Sequence, residues 1–127
     1  MKKDVIEERV QEAVDAALAK KAMDLDVLSV AGVTTIADFF IICSATTERQ
    51  TQAIANSIDG HLRENLRVKP LLIEGTSPGR WILMDYGDFL VHIFTEECRR
   101  FYGLERLWGD APNVNGRFVR EARKVAE

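Results

Sequence analysis

Two uninterrupted apolar stretches constrain the fold of this chain more than any other feature. They are Asp38-Phe39-Phe40-Ile41-Ile42-Cys43-Ser44 and Phe89-Leu90-Val91-His92-Ile93-Phe94. At this length, and without polar alternation, each reads as a strand covered on both faces. A strand buried twice needs a layer above it and a layer below it. The chain must therefore build a sheet with cover on both sides.

The remaining segments supply that cover. Residues 4 to 22 read as a helix with Ile6, Val10, Ala13, Val14 and Ala17 on one face. Asp4, Glu7 and Glu8 lie early and Lys20 and Lys21 late, an order that suits the helix dipole. Leu25 to Val30 alternates as a strand before Gly32. A second helix begins near Thr47, where Thr47-Glu48-Arg49-Gln50 fits a capping box. It continues with Ile54, Ile58, Leu62 and Leu66 in one stripe. Gly60 lies inside it at a cost of about 1 kcal/mol relative to alanine, for which a close packing contact is one candidate reason. Pro70 stops the helix.

Leu71 to Glu74, Trp81 to Tyr86 and Phe89 to Phe94 follow as strands. The tight turn Tyr86-Gly87-Asp88 joins the last two into an antiparallel hairpin. Thr95, Glu96, Glu97, Arg99, Arg100 and Gly103 are the cap, charges and terminal glycine of a short third helix. The expected order is αββαβββα: an α/β (α+β) fold with a mixed five-stranded sheet flanked by helices. One domain is expected over 1–112. A basic tail follows over 113–127, with Arg117, Arg120, Arg123 and Lys124 on a short helix or a frayed end.

The chain has 127 residues and a formal net charge of -3. An acidic surface argues against non-specific binding of nucleic acid or anionic membrane. No secretory signal and no apolar run of membrane length is seen, so a cytoplasmic protein is expected. Cys43 and Cys98 fit neither a metal motif nor a disulfide framework and are expected as two buried, reduced thiols.

Catalytic chemistry finds little support. Asp24-Leu25-Asp26 could hold Mg²⁺ as in a nucleotidyltransferase, but no Gly-Ser turn precedes it to bind phosphates. Asp85 and Asp88, with Glu74 near, form an acidic patch better suited to a basic protein than to a metal. His92 has no nucleophile motif beside it and is expected as a hydrogen-bonded histidine of the core or an interface. Gly75, Gly79 and Gly87 match no phosphate-binding fingerprint. No catalytic residue, metal or cofactor is expected.

Aromatic and charged residues between Glu74 and Pro112 remain. Tryptophan, tyrosine and arginine dominate interface energetics. Trp81 and Tyr86 are expected at a contact surface and Phe101 in the core. The contact residues expected are Glu74, Arg80, Trp81, Asp85, Tyr86 and Asp88, followed by Tyr102, Leu104, Glu105 and Leu107.

Several blocks in sequence carry a resemblance to a known family. They are Lys20 to Leu28, Ile36 to Ser44, Arg49 to Ala55, Glu74-Gly75, Gly79-Arg80-Trp81, Asp85-Tyr86-Gly87-Asp88, Val91 to Phe94 and Phe101 to Pro112. Together they resemble the ribosomal silencing factor, or Iojap-like, family over roughly residues 5 to 112. The resemblance implies a nucleotidyltransferase-like fold without the active site. It also implies binding to the large ribosomal subunit through large-subunit ribosomal protein fourteen. Such binding blocks subunit joining and lowers translation under nutrient limitation. A homodimer in the free state is implied, and organelle relatives assist large-subunit assembly. Met23 stands where many relatives carry an acidic residue. The basic tail lies outside the resemblance and could contact ribosomal RNA.

Overall fold

A computed structural model describes residues 3–103 and 109–119. The elements are α1 (Lys3–Ala19), β1 (Met23–Ser29), β2 (Phe39–Ala45), α2 (Glu48–Leu66), β3 (Leu72–Glu74), β4 (Trp81–Asp85), β5 (Phe89–Thr95), α3 (Glu96–Tyr102) and a single turn, α4 (Asn115–Phe118). The five strands form one sheet in the order β1-β2-β5-β4-β3. The two apolar runs, β2 and β5, lie side by side and parallel, and every other pair is antiparallel. The expected mixed five-stranded sheet with flanking helices is the one observed.

The double burial of the central pair is complete. All seven residues of β2 are buried, as are Phe89 to Phe94 of β5. Alternation along each strand divides these side chains between two cores. One face carries Phe39, Ile41, Cys43, Phe89, Val91 and Ile93 against α1 and α2, the larger core. The other carries Phe40, Ile42, Leu90 and Phe94 with Leu28, Val30, Ala37 and Ala111.

α1 ends at Ala19, three residues earlier than the sequence indicates, because Lys21 takes a positive φ of 62° and turns the chain into β1. Lys20 and Lys21 therefore lie beyond the last turn. The capping box of α2 forms with a shift. Thr47 Oγ1 accepts from Gln50 N, but Gln50 Oε1 accepts from Thr46 N, one residue further back. Gln50 Nε2 donates to the carbonyls of Lys20 and Lys21, so the cap also holds the α1–β1 junction. Thr95 and Gly103 cap α3 as the sequence indicates, with Gly103 at φ 57°.

Where a basic tail was expected after Pro112, the first residues pack on the body. Asn113 bridges Leu28, Val114 N donates to Val27 O, and Ser29 N donates to Pro112 O, so this segment lines the outer edge of β1. Phe118 is buried in the larger core, edge-on to Phe39 at 5.8 Å. Arg117 pairs with Glu7 of α1. The helix or frayed end expected further on falls at 120–127, outside the described residues.

Two stability outcomes follow. A Cβ at Gly60 would meet only the flexible end of Glu64, at 3.7 Å, so no close packing requires glycine there. Gly60→Ala should raise stability by roughly 0.5–1 kcal/mol in urea titration. Phe118→Ala should lower it by about 3 kcal/mol, a cost that only a core residue carries.

Candidate partner-binding surface

Among the described residues the sheet face away from α1 and α2 is only partly covered, and it carries Glu74, Trp81, Asp85 and Tyr102 of the contact residues expected from the sequence. Alternation decides which side chains reach it. On β4, Ile82 and Met84 enter the larger core, while Trp81 and Leu83 pack on the second core. Asp85 follows the second set. Cross-strand pairing of Leu72 with Asp85 and Glu74 with Leu83 puts both β3 residues on the same side. Leu72 and Glu74 are exposed there.

Trp81 is the centre of this surface. Its ring lies 5.0 Å from Phe94 and 4.8 Å from Tyr102 of α3. Its Nε1 donates to His92 Nδ1 at 3.2 Å. The Gly75–Gly79 loop sets its backbone. Gly75 has φ 85°, and a Cβ there would lie 2.1 Å from Trp81 O, so only glycine lets the loop close on the strand. Thr51 Oγ1 donates to Gly79 O at 2.6 Å and ties the loop to α2. Arg80, exposed beside Trp81, pairs with Glu48 at 3.6 Å. Thr46, Thr47, Arg80, Trp81, Arg100 and Tyr102 contribute to an open groove of about 920 Å³ between the start of α2 and α3.

α3 has no buried residue. Phe101, expected in the core, is 80% exposed, and Tyr102 is 52% exposed. The reason is helix geometry: Arg99 takes the inward position of the last turn, Phe101 points outward, and Tyr102 rests half-exposed against the Trp81 ring. Tyr86 departs in the opposite sense. It keeps the parity of Ile82 and Met84, enters the larger core and stacks on Phe89 at 4.9 Å. Its hydroxyl has no hydrogen-bond partner among the described residues, and burial pushes its pKa upward. Tyr86 is therefore a core residue and not a free contact side chain.

Asp85 and Asp26 act locally through their carboxylates, whereas Asp88 and Asp24 are engaged through their backbone carbonyls. Asp85 Oδ1 accepts from Gly87 N at 2.8 Å and shapes the hairpin turn. Asp88 O accepts from Asp38 N and links the turn to the start of β2. Asp24 lies within the β1–β2 register shift between Met23 and Asp26, and Asp26 is engaged by Arg99, Asn113 and Asn115. Leu104, Glu105 and Leu107 lie outside the described residues. Cys43 is fully buried, its thiol pushed up to about 12 by burial. Cys98, expected buried, is only partly so and lines the groove.

With this surface defined, the comparisons with known proteins become decisive. The family model described as ribosomal silencing factor during starvation matches residues 3–127. The chain belongs to the ribosomal silencing factor family. It is 44% identical over 109 residues to the ribosomal silencing factor of Halalkalibacterium halodurans, covering 85% of this chain and 92% of that one. The crystal structure of a Chromobacterium violaceum protein superposes with a TM-score of 0.79 at 33% identity, covering 82% of this chain and 86% of that one. A mouse protein named for mitochondrial assembly of the ribosomal large subunit is 31% identical over 93 residues, 70% of this chain and 40% of that one. The family to which the chain belongs is one of non-enzymatic silencing factors. No described helix of this chain is long and apolar enough to cross a membrane.

His92 provides a test of the surface. Because Nδ1 accepts from Trp81, the neutral ring carries its proton on Nε2, which is buried with no partner among the described residues. Phe40, Trp81 and Phe94 surround it. Burial lowers its pKa from 6.5 to about 4. The unfolded chain thus binds a proton that the fold refuses, so this stability is full above pH 6.5 and is lost as pH falls towards 4. In urea titrations from pH 7 to 4.5, the wild type should lose stability relative to His92→Phe, with a limiting slope of about 1.4 kcal/mol per pH unit. Parallel curves would mean that His92 titrates freely in the fold.

Proposed function

We propose that this protein binds the large ribosomal subunit through the Trp81–Tyr102 surface, keeps the small subunit from joining, and so lowers translation under nutrient limitation. The observation that carries this reading is the exposed aromatic surface beside carboxylates on an otherwise well-packed sheet. Large apolar groups left half-exposed at a polar rim mark a contact surface. Leu72, Trp81 and Tyr102 can supply buried anchors, while Glu74 and Asp85 complement a basic partner. Large-subunit ribosomal protein fourteen, the partner implied by the family resemblance, is the proposed docking site. Blocking by bulk requires no reacting group, only tight occupation of the joining face. We further propose a cytoplasmic homodimer in the free state and a minor contact of basic residues after Pro112 with ribosomal RNA.

A second reading, assistance in large-subunit assembly, draws support from the name of the mouse relative. Both readings use one surface. Sedimentation profiles of cells lacking the protein separate them: missing large subunits indicate assembly, and excess joined ribosomes in starvation indicate silencing.

The direct test is co-sedimentation with purified subunits. The protein should pellet with large and not small subunits. Trp81→Ala should weaken that binding about 30-fold, the loss of a hot spot worth about 2 kcal/mol, with an unchanged circular dichroism spectrum. Preference for the small subunit would overturn the proposal, and full binding by Trp81→Ala would overturn the site.

A further inference from the structure

The pair Asp24-Leu25-Asp26 has no part in the function proposed above, yet its surroundings are the most connected polar network among the described residues. The β1–β2 register shifts between Met23 and Asp26, and Asp24 sits at φ 47°. Aspartate tolerates this left-handed conformation better than most residues. The bulge turns two acceptors towards α3. Arg99 Nη1 donates to Asp24 O at 2.6 Å and to Ser44 Oγ at 2.8 Å, and Arg99 Nη2 pairs with Asp26 Oδ2 at 3.0 Å. The Arg99 side chain is only 11% exposed. The second carboxylate oxygen, Asp26 Oδ1, accepts from Asn113 Nδ2 at 3.1 Å and Asn115 Nδ2 at 3.0 Å. Asn115 also accepts from Val27 N and donates to Leu25 O, as a neighbouring strand would.

We infer that Asp26 is a positioning residue for the contact surface: its carboxylate clasps Arg99 of α3 and the Asn113–Asn115 segment onto β1, and so holds Tyr102 against Trp81. The inference rests on the proposed role of the Trp81–Tyr102 surface in partner binding. α3 has seven residues and buries none of them fully. A helix that short has no stability of its own in water, and with little apolar burial it depends on specific tertiary bonds. The Thr95 cap fixes its start. Towards its end, the guanidinium of Arg99 is the strong attachment, because charged bonds in a half-dry site outweigh neutral ones. Tyr102 lies three residues beyond Arg99 and packs against Trp81, the rings tilted by 51°. Without the clasp, the aromatic surface would have to be ordered at the moment of binding, and affinity would fall by that ordering cost.

Hydrogen exchange of the free protein, together with large-subunit binding, tests this on Asp26→Asn and Arg99→Lys. Asp26→Asn keeps the shape of the side chain and removes its charge. Arg99→Lys loosens the clasp from α3 and leaves β1 intact, so a folding failure of the first variant does not end the test. In either variant, amides of Cys98 to Gly103 should exchange at least about 10-fold faster, with α2 and β5 unchanged. Affinity for the large subunit should fall about 5- to 10-fold, and the double variant should bind no more weakly than the weaker single one. Unchanged exchange in α3 would overturn the clasp. Faster exchange with wild-type affinity would overturn its role in binding. Failure of the wild type to bind large subunits would overturn the functional reading instead, leaving the exchange result to judge the clasp.

Discussion

The parallel pairing of β2 with β5 is the constraint on which the other elements depend. Neither strand has a polar face to offer water, so both sides of the sheet centre must be dry. A parallel pair also needs a crossover, and the chain fills it with α2, β3 and β4 before β5 is laid beside β2. α1 and α2 seal one face with an apolar layer. The opposite face receives no comparable helix among the described residues. It is closed in patches by α3, Trp81 and Ala111.

That asymmetry is the physical origin of the proposed contact surface. A face closed by side chains and one short helix leaves large apolar groups at its rim, here Leu72, Tyr102 and Phe101. The same economy leaves His92 buried, its Nε2 without a partner among the described residues, and burial favours the neutral ring. Polar bonds take over where apolar packing is thin. Arg99 and Asp26 secure α3 and the residues after Pro112 to the strand edge, and Gln50 and Thr51 secure the loops around the start of α2. Asn115 closes the β1 edge with its side-chain amide, which also guards an open strand against stray pairing.

Much of this was legible in the residues. Length and apolarity marked β2 and β5, the Thr47 and Thr95 caps marked α2 and α3, and Tyr86-Gly87-Asp88 marked the hairpin, since each is a local signal with a local cause. The place of Trp81 beside a glycine loop was legible, and the structure shows it partly buried at the margin of the second core. Tyr86 and Phe101 were misplaced for one reason. Aromatic character says that a ring prefers burial or an interface, and only parity along β4 and the turn of α3 decide which. Strict alternation from Ile82 through Met84 to Tyr86 was a usable signal for the first. Phe118 carried no comparable signal, because a lone aromatic among basic residues gives no period to read.

The sequence by itself determined the element order, the two-sided burial of the central strands and, through the blocks from Glu74 to Pro112, the family. These depend on neighbours in the chain and on patterns of one or two turns. Tertiary structure alone decided that Asp26 meets Arg99, Asn113 and Asn115, which lie 73 to 89 residues away in sequence. It also decided that Trp81, His92 and Tyr102 share one patch. Those meetings require the sheet order, and sheet order is set by how distant strands pair and not by any segment alone.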